Sequence, residues 1–240
     1  MADPYGSKFV RFVNLLASLN GRSVSRRLLI AAIFLLLSGC VTSRIEQARL
    51  QPTSLEEDDA LVVIGKASYN DRETEKSFTQ CMEKALSSGR RSVRTLSEEE
   101  FKDKLYPWFE PRNAPGTTKE LMALFEQPEL RRQLEKTGVK YLAWIDGSTV
   151  TTDQNGGMSC ALSTFGGGCY GMSSWEEKAS YVASIWDLEN LQPVGEISAD
   201  ANGTSYLAGL VLPIPVIARP GNEACKALAN QLKSFLVGGS

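Results

Sequence analysis

Three arginines, Arg22, Arg26 and Arg27, lead into LLIAAIFLLL, Leu28 to Leu37, followed by Ser38, Gly39 and Cys40. A basic stretch, a short apolar run and small residues before a cut are the parts of an export signal. The run falls well short of the roughly 20 apolar residues a membrane span needs. Residues 1–39 are therefore expected to be a signal that is removed. The exported remainder of the chain must fold in an oxidising compartment, where cysteines pair. Met1 to Gly21 holds its own partly apolar piece, KFVRFVNLLASL, with no role in export, as expected if translation begins near Val24.

The end of the signal, Leu37-Ser38-Gly39-Cys40, resembles the lipobox of bacterial lipoproteins. The resemblance implies that Cys40 receives a diacylglycerol thioether, becomes the first residue after cleavage and is acylated on its new amino terminus. Several acyl chains hold a protein stably on a bilayer, where one chain is marginal. Residue 41 is Val and not Asp, which by the same resemblance implies sorting to the outer membrane, facing the periplasm.

After the signal about 200 residues remain, enough for one ordinary domain with a real core. The net charge is −2 and no basic patch interleaved with aromatics is visible, so nucleic acid is not an expected partner. The chain contains no histidine. A Ser-His-Asp or Cys-His centre cannot be built, nor can a His-ligated zinc site. Of the five cysteines, Cys40 is assigned to lipid, leaving Cys81, Cys160, Cys169 and Cys225. An even remainder in an oxidising envelope reads as two disulfides, and three pairings are possible in principle. The favoured one joins Cys160 to Cys169, which can meet across a turn, and Cys81 to Cys225, which lie on core-facing stripes of two helices.

Residues 40–59, including VTSRIEQARLQPTSLEEDD, are polar with no sustained apolar period and read as a lipid-bearing tether. The domain is expected over 60–240. LVVIG, Leu61 to Gly65, reads as a buried strand. Phe78, Cys81, Met82, Ala85 and Leu86 form the apolar stripe of a helix. A strand is expected over 92–95, then a capping box at Ser97 and Glu100 opening a short helix. YPWFEPRNAPG, Tyr106 to Gly116, is a loop in which Trp108 and Phe109 either plug the core or face a partner. Helices come next near 119–126 and 128–137. VKYLAWI, Val139 to Ile145, is the strongest strand, and TVTTDQNGG reads as its extension and a turn. CALSTFGGGC is then a loop closed by its cysteines, with Phe165 and Tyr170 at its edges as possible partner contacts. WEEKASYVASIWD and VGEISADANG form an antiparallel hairpin. Tyr206 to Pro220 is apolar but broken by prolines, which bars a helix and disfavours a central strand. Ala224, Cys225, Leu228, Leu232, Phe235 and Leu236 mark a closing helix.

LVVIG, TEKSFTQCMEKALSSG, GVKYLAWIDG and SIWDLENLQPVGEIS occur in an order that resembles the small periplasmic α/β domain of the TolB amino-terminal, CsgG and LpoB kind. The resemblance implies a binding and assembly domain without a catalytic centre. The fold expected is α/β (α+β): one domain with a mixed sheet, an antiparallel hairpin and helices packed on one side.

Against this stand weaker chemistries. FGGGCYGMSSWEEK lacks the Lys that a phosphate loop requires, and Cys160 and Cys169 lack the close spacing of a redox pair. No metal and no cofactor are expected. Asp146, Asp153, Glu176, Glu177 and Asp187 cluster in sequence, yet no spacing singles out an acid-base pair. The function expected is a lipid-anchored envelope accessory protein with an unidentified protein partner. The alternatives are a carboxylate-dependent glycan hydrolase and a structural surface lipoprotein with no specific partner.

Overall fold

The computed structural model describes residues 41–56, 58–66, 73–89, 91–110, 112–164, 166–209 and 213–237. The signal, Cys40 and Phe165 lie outside them. Residues Cys40–Ser240 form one compact unit. Its elements are β1 (Val41–Arg49), β2 (Ala60–Gly65), α1 (Lys76–Leu86), β3 (Thr95–Leu96), α2 (Glu98–Lys104), α3 (Thr118–Phe125), α4 (Pro128–Glu135), β4 (Val139–Ser163), β5 (Gly166–Asp187), β6 (Gln192–Gly209), β7 (Pro213–Val216) and α5 (Pro220–Val237). The strands form one mixed sheet in the order β1-β6-β5-β4-β2-β3, with β7 also on β6. β2 runs parallel to β3 and β4, and the remaining pairs are antiparallel. The α/β class, the mixed sheet and the β5–β6 hairpin agree with the sequence reading.

All six residues of β2 are buried, as a strand covered on both faces requires. Leu61, Val63, Tyr141, Ala143, Ile145, Tyr181 and Ile185 point to one face, where α1 and α5 lay down Phe78, Met82, Leu228, Leu232 and Phe235. Val62, Ile64, Leu142, Trp144 and Trp186 point to the other, against Phe101, Leu121, Phe125, Leu130 and Leu134 from α2, α3 and α4. The helices thus cover both faces of the sheet, not one side as expected. The short helices after residue 97 carry too few apolar residues each to reveal from sequence which face they take.

Local signals explain the helix starts. Ser97 accepts a hydrogen bond from the backbone N–H of Glu100 at 3.2 Å, and Thr117 does the same for Glu120 at 3.2 Å. These satisfy donors that the first turn leaves open. Pro128 sits at the start of α4, where its missing N–H is harmless.

Three further expectations are corrected. The strand foreseen at 92–95 is instead the two-residue β3, Thr95–Leu96, which shares only Thr95 with it. The stretch 41–59 is not a coil tether throughout, because Val41–Arg49 is a strand paired along β6 from Val41 opposite Gly203 to Arg49 opposite Gly195. Only Val41 and Ile45 of this strand pack on the core, too few to make an apolar period. Its hold comes from the ladder and from distant contacts: Arg49 lies 3.9 Å over the Phe235 ring and donates to the Phe235 carbonyl at 2.7 Å. Finally, TTDQNGG is not a turn, since β4 runs through it unbroken to Ser163.

Candidate functional site

β4 and β5 pair from Tyr141 opposite Asp187 out to Ser163 opposite Gly166. The partner on β4's other side, β2, ends at Gly65 opposite Ile145. β4 therefore continues past the core as the edge of an arm, covering about 40 Å between residues 151 and 163 at 3.4 Å per residue. β6 accompanies β5 as far as Gly209 opposite Gly171, and β7 lies beside it, with Ile214 opposite Ala208 and Val216 opposite Tyr206. Along the arm, residues 151–157 of β4 are exposed without alternation, whereas on β6 the α1/α5 face stays covered as far as Ser205, which is fully buried and accepts from the Ala218 backbone N–H at 3.0 Å.

Cys160 and Cys169 are directly opposite each other near the tip and are joined by a disulfide. The expected loop is thus the end of a pinned hairpin. Glycines let its strands approach: Gly156 has φ +85, and a Cβ on it would meet the Met172 carbonyl oxygen at 2.2 Å, so only glycine fits. The second disulfide, Cys81 to Cys225, links α1 to α5. Both bridges fit an oxidising, extracytoplasmic location.

Side chains alternate across the arm. Tyr181 and Ile185 face the α1/α5 core while Trp186 faces the other, and counting back along β5 puts Tyr170 and Met172 on the Trp186 face. Their cross-strand neighbours on that face are Ala208 and Ile214 in one row and Tyr206 and Val216 in the next. Tyr170 is 77% exposed, Met172 59%, Ile214 53% and Tyr206 42%. Leu162, at the tip, is 94% exposed and by the same alternation belongs to the opposite face.

A second feature is a cleft of about 330 Å³ lined by Lys66, Lys76, Glu83, Glu98, Glu99 and Lys102 among others. It sits at the carboxyl end of β2, beside the start of α2, the position at which open α/β sheets place ligands. Its acids are engaged. Glu98 accepts from the Gly65 backbone N–H at 3.3 Å and from Lys102 Nζ at 2.6 Å. Glu83 accepts from the Glu98 backbone N–H at 3.0 Å. Burial raises the Glu83 carboxyl above the ordinary range, and the charges of Glu98 and Glu99 add to this against that single hydrogen bond.

The residues singled out from sequence do not converge. Phe109 is 3% exposed and Trp108 packs beside the same core, its Nε1 donating to Gln127 at 2.9 Å. That pair plugs the core, and the partner-surface expectation is corrected for Phe109; the loop instead exposes Tyr106. Tyr170 is exposed as a contact residue must be, while Cys40 and Phe165 lie outside the described residues. Of the five acids, Asp146 pairs with Lys66 at 3.1 Å, Asp153 and Glu176 are cross-strand neighbours on the arm, and Asp187 accepts from the Glu189 and Asn190 backbones in the β5–β6 turn. Among the described residues, no group of three or more His, Cys, Asp or Glu could hold a metal ion. Sequence reasoning missed the apolar row Met172, Tyr206 and Ile214, whose members lie far apart in the chain.

No protein-family model matches the chain, and no curated protein matches it. Among solved structures it is similar to a variant PelC dodecamer from Paraburkholderia phytofirmans, at 12% identity and a TM-score of 0.38, over 81% of this chain and 98% of that one. It is also similar to the PelC dodecamer of the same organism in another crystal form, at 11% identity and a TM-score of 0.39, over 82% and 99% of the two chains.

Proposed function

We propose that this chain is a lipid-anchored accessory protein of the bacterial outer membrane that works by binding, helping to assemble an envelope complex, with Cys40 as its acylated first residue. The observation that carries the reading is the β4–β5 arm: a long hairpin that runs past the core to an exposed tip, which is closed by a disulfide instead of by packing. Keeping such an arm in one shape has no role in core stability and suits a surface that a partner reads. The lipobox preceding β1 and the two disulfides support the envelope setting. The tip face that bears Leu162 is the surface assigned to a protein partner.

The test is photo-crosslinking in whole cells from position 162 on the arm, beside a control position on α3 such as Met122. A discrete protein adduct from 162 and none from 122 is expected. Equal, diffuse labelling from both would instead favour a surface lipoprotein without a specific partner. Mass spectrometry of the membrane-extracted protein checks the anchor, and an unmodified mature terminus would remove it.

A carboxylate-dependent hydrolase is the second reading, favoured by the raised Glu83 beside Glu98 in one cleft. Glu83 caps α2 and Glu98 is tied to Lys102, so both acids have structural tasks. Glycan cleavage that disappears in Glu83→Gln would reverse the order of the two readings.

A further inference from the structure

We infer that the apolar row on the arm, formed by Tyr170, Met172, Tyr206 and Ile214, is a membrane-contact face that lies in the headgroup region of the bilayer beside the lipid anchor. The inference rests on the proposed acylation of Cys40 and extends it to a second, noncovalent contact.

Chain geometry carries the argument. The strand register begins immediately after the acylated position, with Val41 opposite Gly203, so no flexible tether separates the anchor from the sheet. β1 is antiparallel to β6, so extending the chain backward from Val41 leads toward Tyr206, where β7 takes over the same edge with Val216 opposite Tyr206. Tyr206 is three positions beyond Gly203, about 10 Å of strand. Acyl chains on residue 40 hold its backbone at the boundary between headgroups and hydrocarbon, and the apolar row starts within about 10 Å of that point.

The chemistry of the row agrees. The two cross-strand rows Met172, Ala208, Ile214 and Ser174, Tyr206, Val216 contain no charge, and the next row on that face, Asp153, Glu176 and Thr204, bounds the apolar area with acids. Tyrosine carries an apolar ring with a polar tip, the side chain that membrane interfaces favour. An exposed patch of this kind marks a docking surface, and the edge beside it is ill suited to strand addition. Pro213 and Pro215 in β7 supply no N–H donors, so the edge is a poor template for another chain. The face, not the edge, is what remains available.

The test uses the full-length protein isolated with its native processing and placed in vesicles of phosphatidylethanolamine and phosphatidylglycerol. Benzoylphenylalanine replaces Met172, Tyr206 or Ile214 in turn, and Met122, which is 48% exposed on α3, in the control. Phospholipid adducts at the three arm positions are expected at about tenfold the level at 122, as burial in the interface implies. If Cys40 carries its acyl groups and the arm positions give no more lipid adduct than 122, the membrane-contact face is overturned while the anchor stands. If Cys40 is unmodified, the anchor falls, and lipid adducts at the arm would then be the face's own support. Adducts to protein at 172, 206 and 214 in place of lipid would also overturn it. All three side chains are at least 42% exposed, so their replacement leaves the core intact, and retention of both disulfides on peptide mapping confirms this for each variant.

Discussion

The Tyr181 hydroxyl donates to Glu75 Oε2 at 2.8 Å, tying the residue just before α1 to the middle of β5. Glu75 Oε1 accepts from the Thr149 backbone N–H at 2.8 Å, and Thr149 Oγ1 lies 2.8 Å from the same hydroxyl. The Tyr181 ring stacks on Phe78 with centroids 3.5 Å apart. Burial, together with the Glu75 carboxylate, raises the hydroxyl above the ordinary tyrosine range, against the opposing Thr149 contact. This network closes the sheet where Gly147, at φ +148, passes so near that a Cβ would meet the Ser180 carbonyl oxygen at 2.2 Å. Tyr181→Phe keeps the stacking and removes the hydroxyl from a charged acceptor. A loss of about 1.5–3 kcal/mol is expected, read as a lower denaturation midpoint with unchanged m-value. A loss below the error of the fit would mean that Glu75 finds an equivalent partner.

The two disulfides are expected to act differently. Cys81 to Cys225 closes a loop spanning 144 residues of sequence and joins two helices of one core. Replacing both cysteines by Ala is expected to cost up to about 5 kcal/mol on the chain-entropy model. Cys160 to Cys169 spans 9 residues in the uncovered part of the arm, and the same model allows about 2.7 kcal/mol. That figure applies to the order of the arm and not to global unfolding, because no core residue packs there. Thermal unfolding is therefore expected to shift strongly for the first pair and little for the second. Hydrogen exchange of residues 156–172 should instead accelerate when the second pair is removed.

How much of this was legible in the sequence depended on where the stabilising contacts sit. LVVIG, VKYLAWI and the stripe from Ala224 to Leu236 bury large apolar residues at regular spacing, and those elements formed where the pattern placed them. The cysteine pairing was legible because two of its members lie on such stripes. β1 was not, since Val41 and Ile45 alone face the core and its ladder partners run from Gly203 to Gly195, far along the chain. The arm escaped for a related reason: T-T-D-Q-N-G-G carries turn-forming residues and no apolar alternation, and it is held extended by pairing with β5 and by the tip disulfide. The apolar row is assembled from β5, β6 and β7, so no local window contains it.

Lys140 Nζ and Asp59 Oδ2 are 2.7 Å apart, with side chains 13% and 19% exposed. Burial works to raise the Asp59 carboxyl, but the Lys140 hydrogen bond, the Glu56 backbone N–H and the Lys140 charge outweigh it and hold it below the ordinary value. The hydrogen bond to Asp59, aided by its charge and opposed by burial, raises Lys140. A depressed carboxyl contributes stability that is fully present above its unfolded pKa, about 3.9, and is lost as pH falls through the lower folded value. A raised lysine contributes below about 10.4 and is lost as pH climbs through its higher folded value. The pair should therefore add stability across the neutral range and fail at both extremes. Asp59→Asn is expected to destabilise at pH 7 and to lie closer to the parent at pH 2.5. An equal deficit at both pH values would assign the effect to packing.

Glu83 works in the opposite sense. Its folded carboxyl is raised by burial and by the charges of Glu98 and Glu99, so its favourable contribution is present when it is protonated and disappears as pH rises through the folded value. The ionised form stands beside two other acids while serving as acceptor for the Glu98 N–H. Glu83→Gln retains that acceptor through its amide oxygen and removes the charge. Because the cleft is open to solvent, screening limits the gain to roughly a few tenths of a kcal/mol. The variant should melt slightly higher than the parent at pH 7 and match it at pH 4, measured by differential scanning calorimetry in low salt. Added salt should narrow the difference, since it screens the Glu98 and Glu99 charges that produce it. A variant that melts lower at pH 7 would show that the charge strengthens the cap on α2 more than its neighbours oppose it.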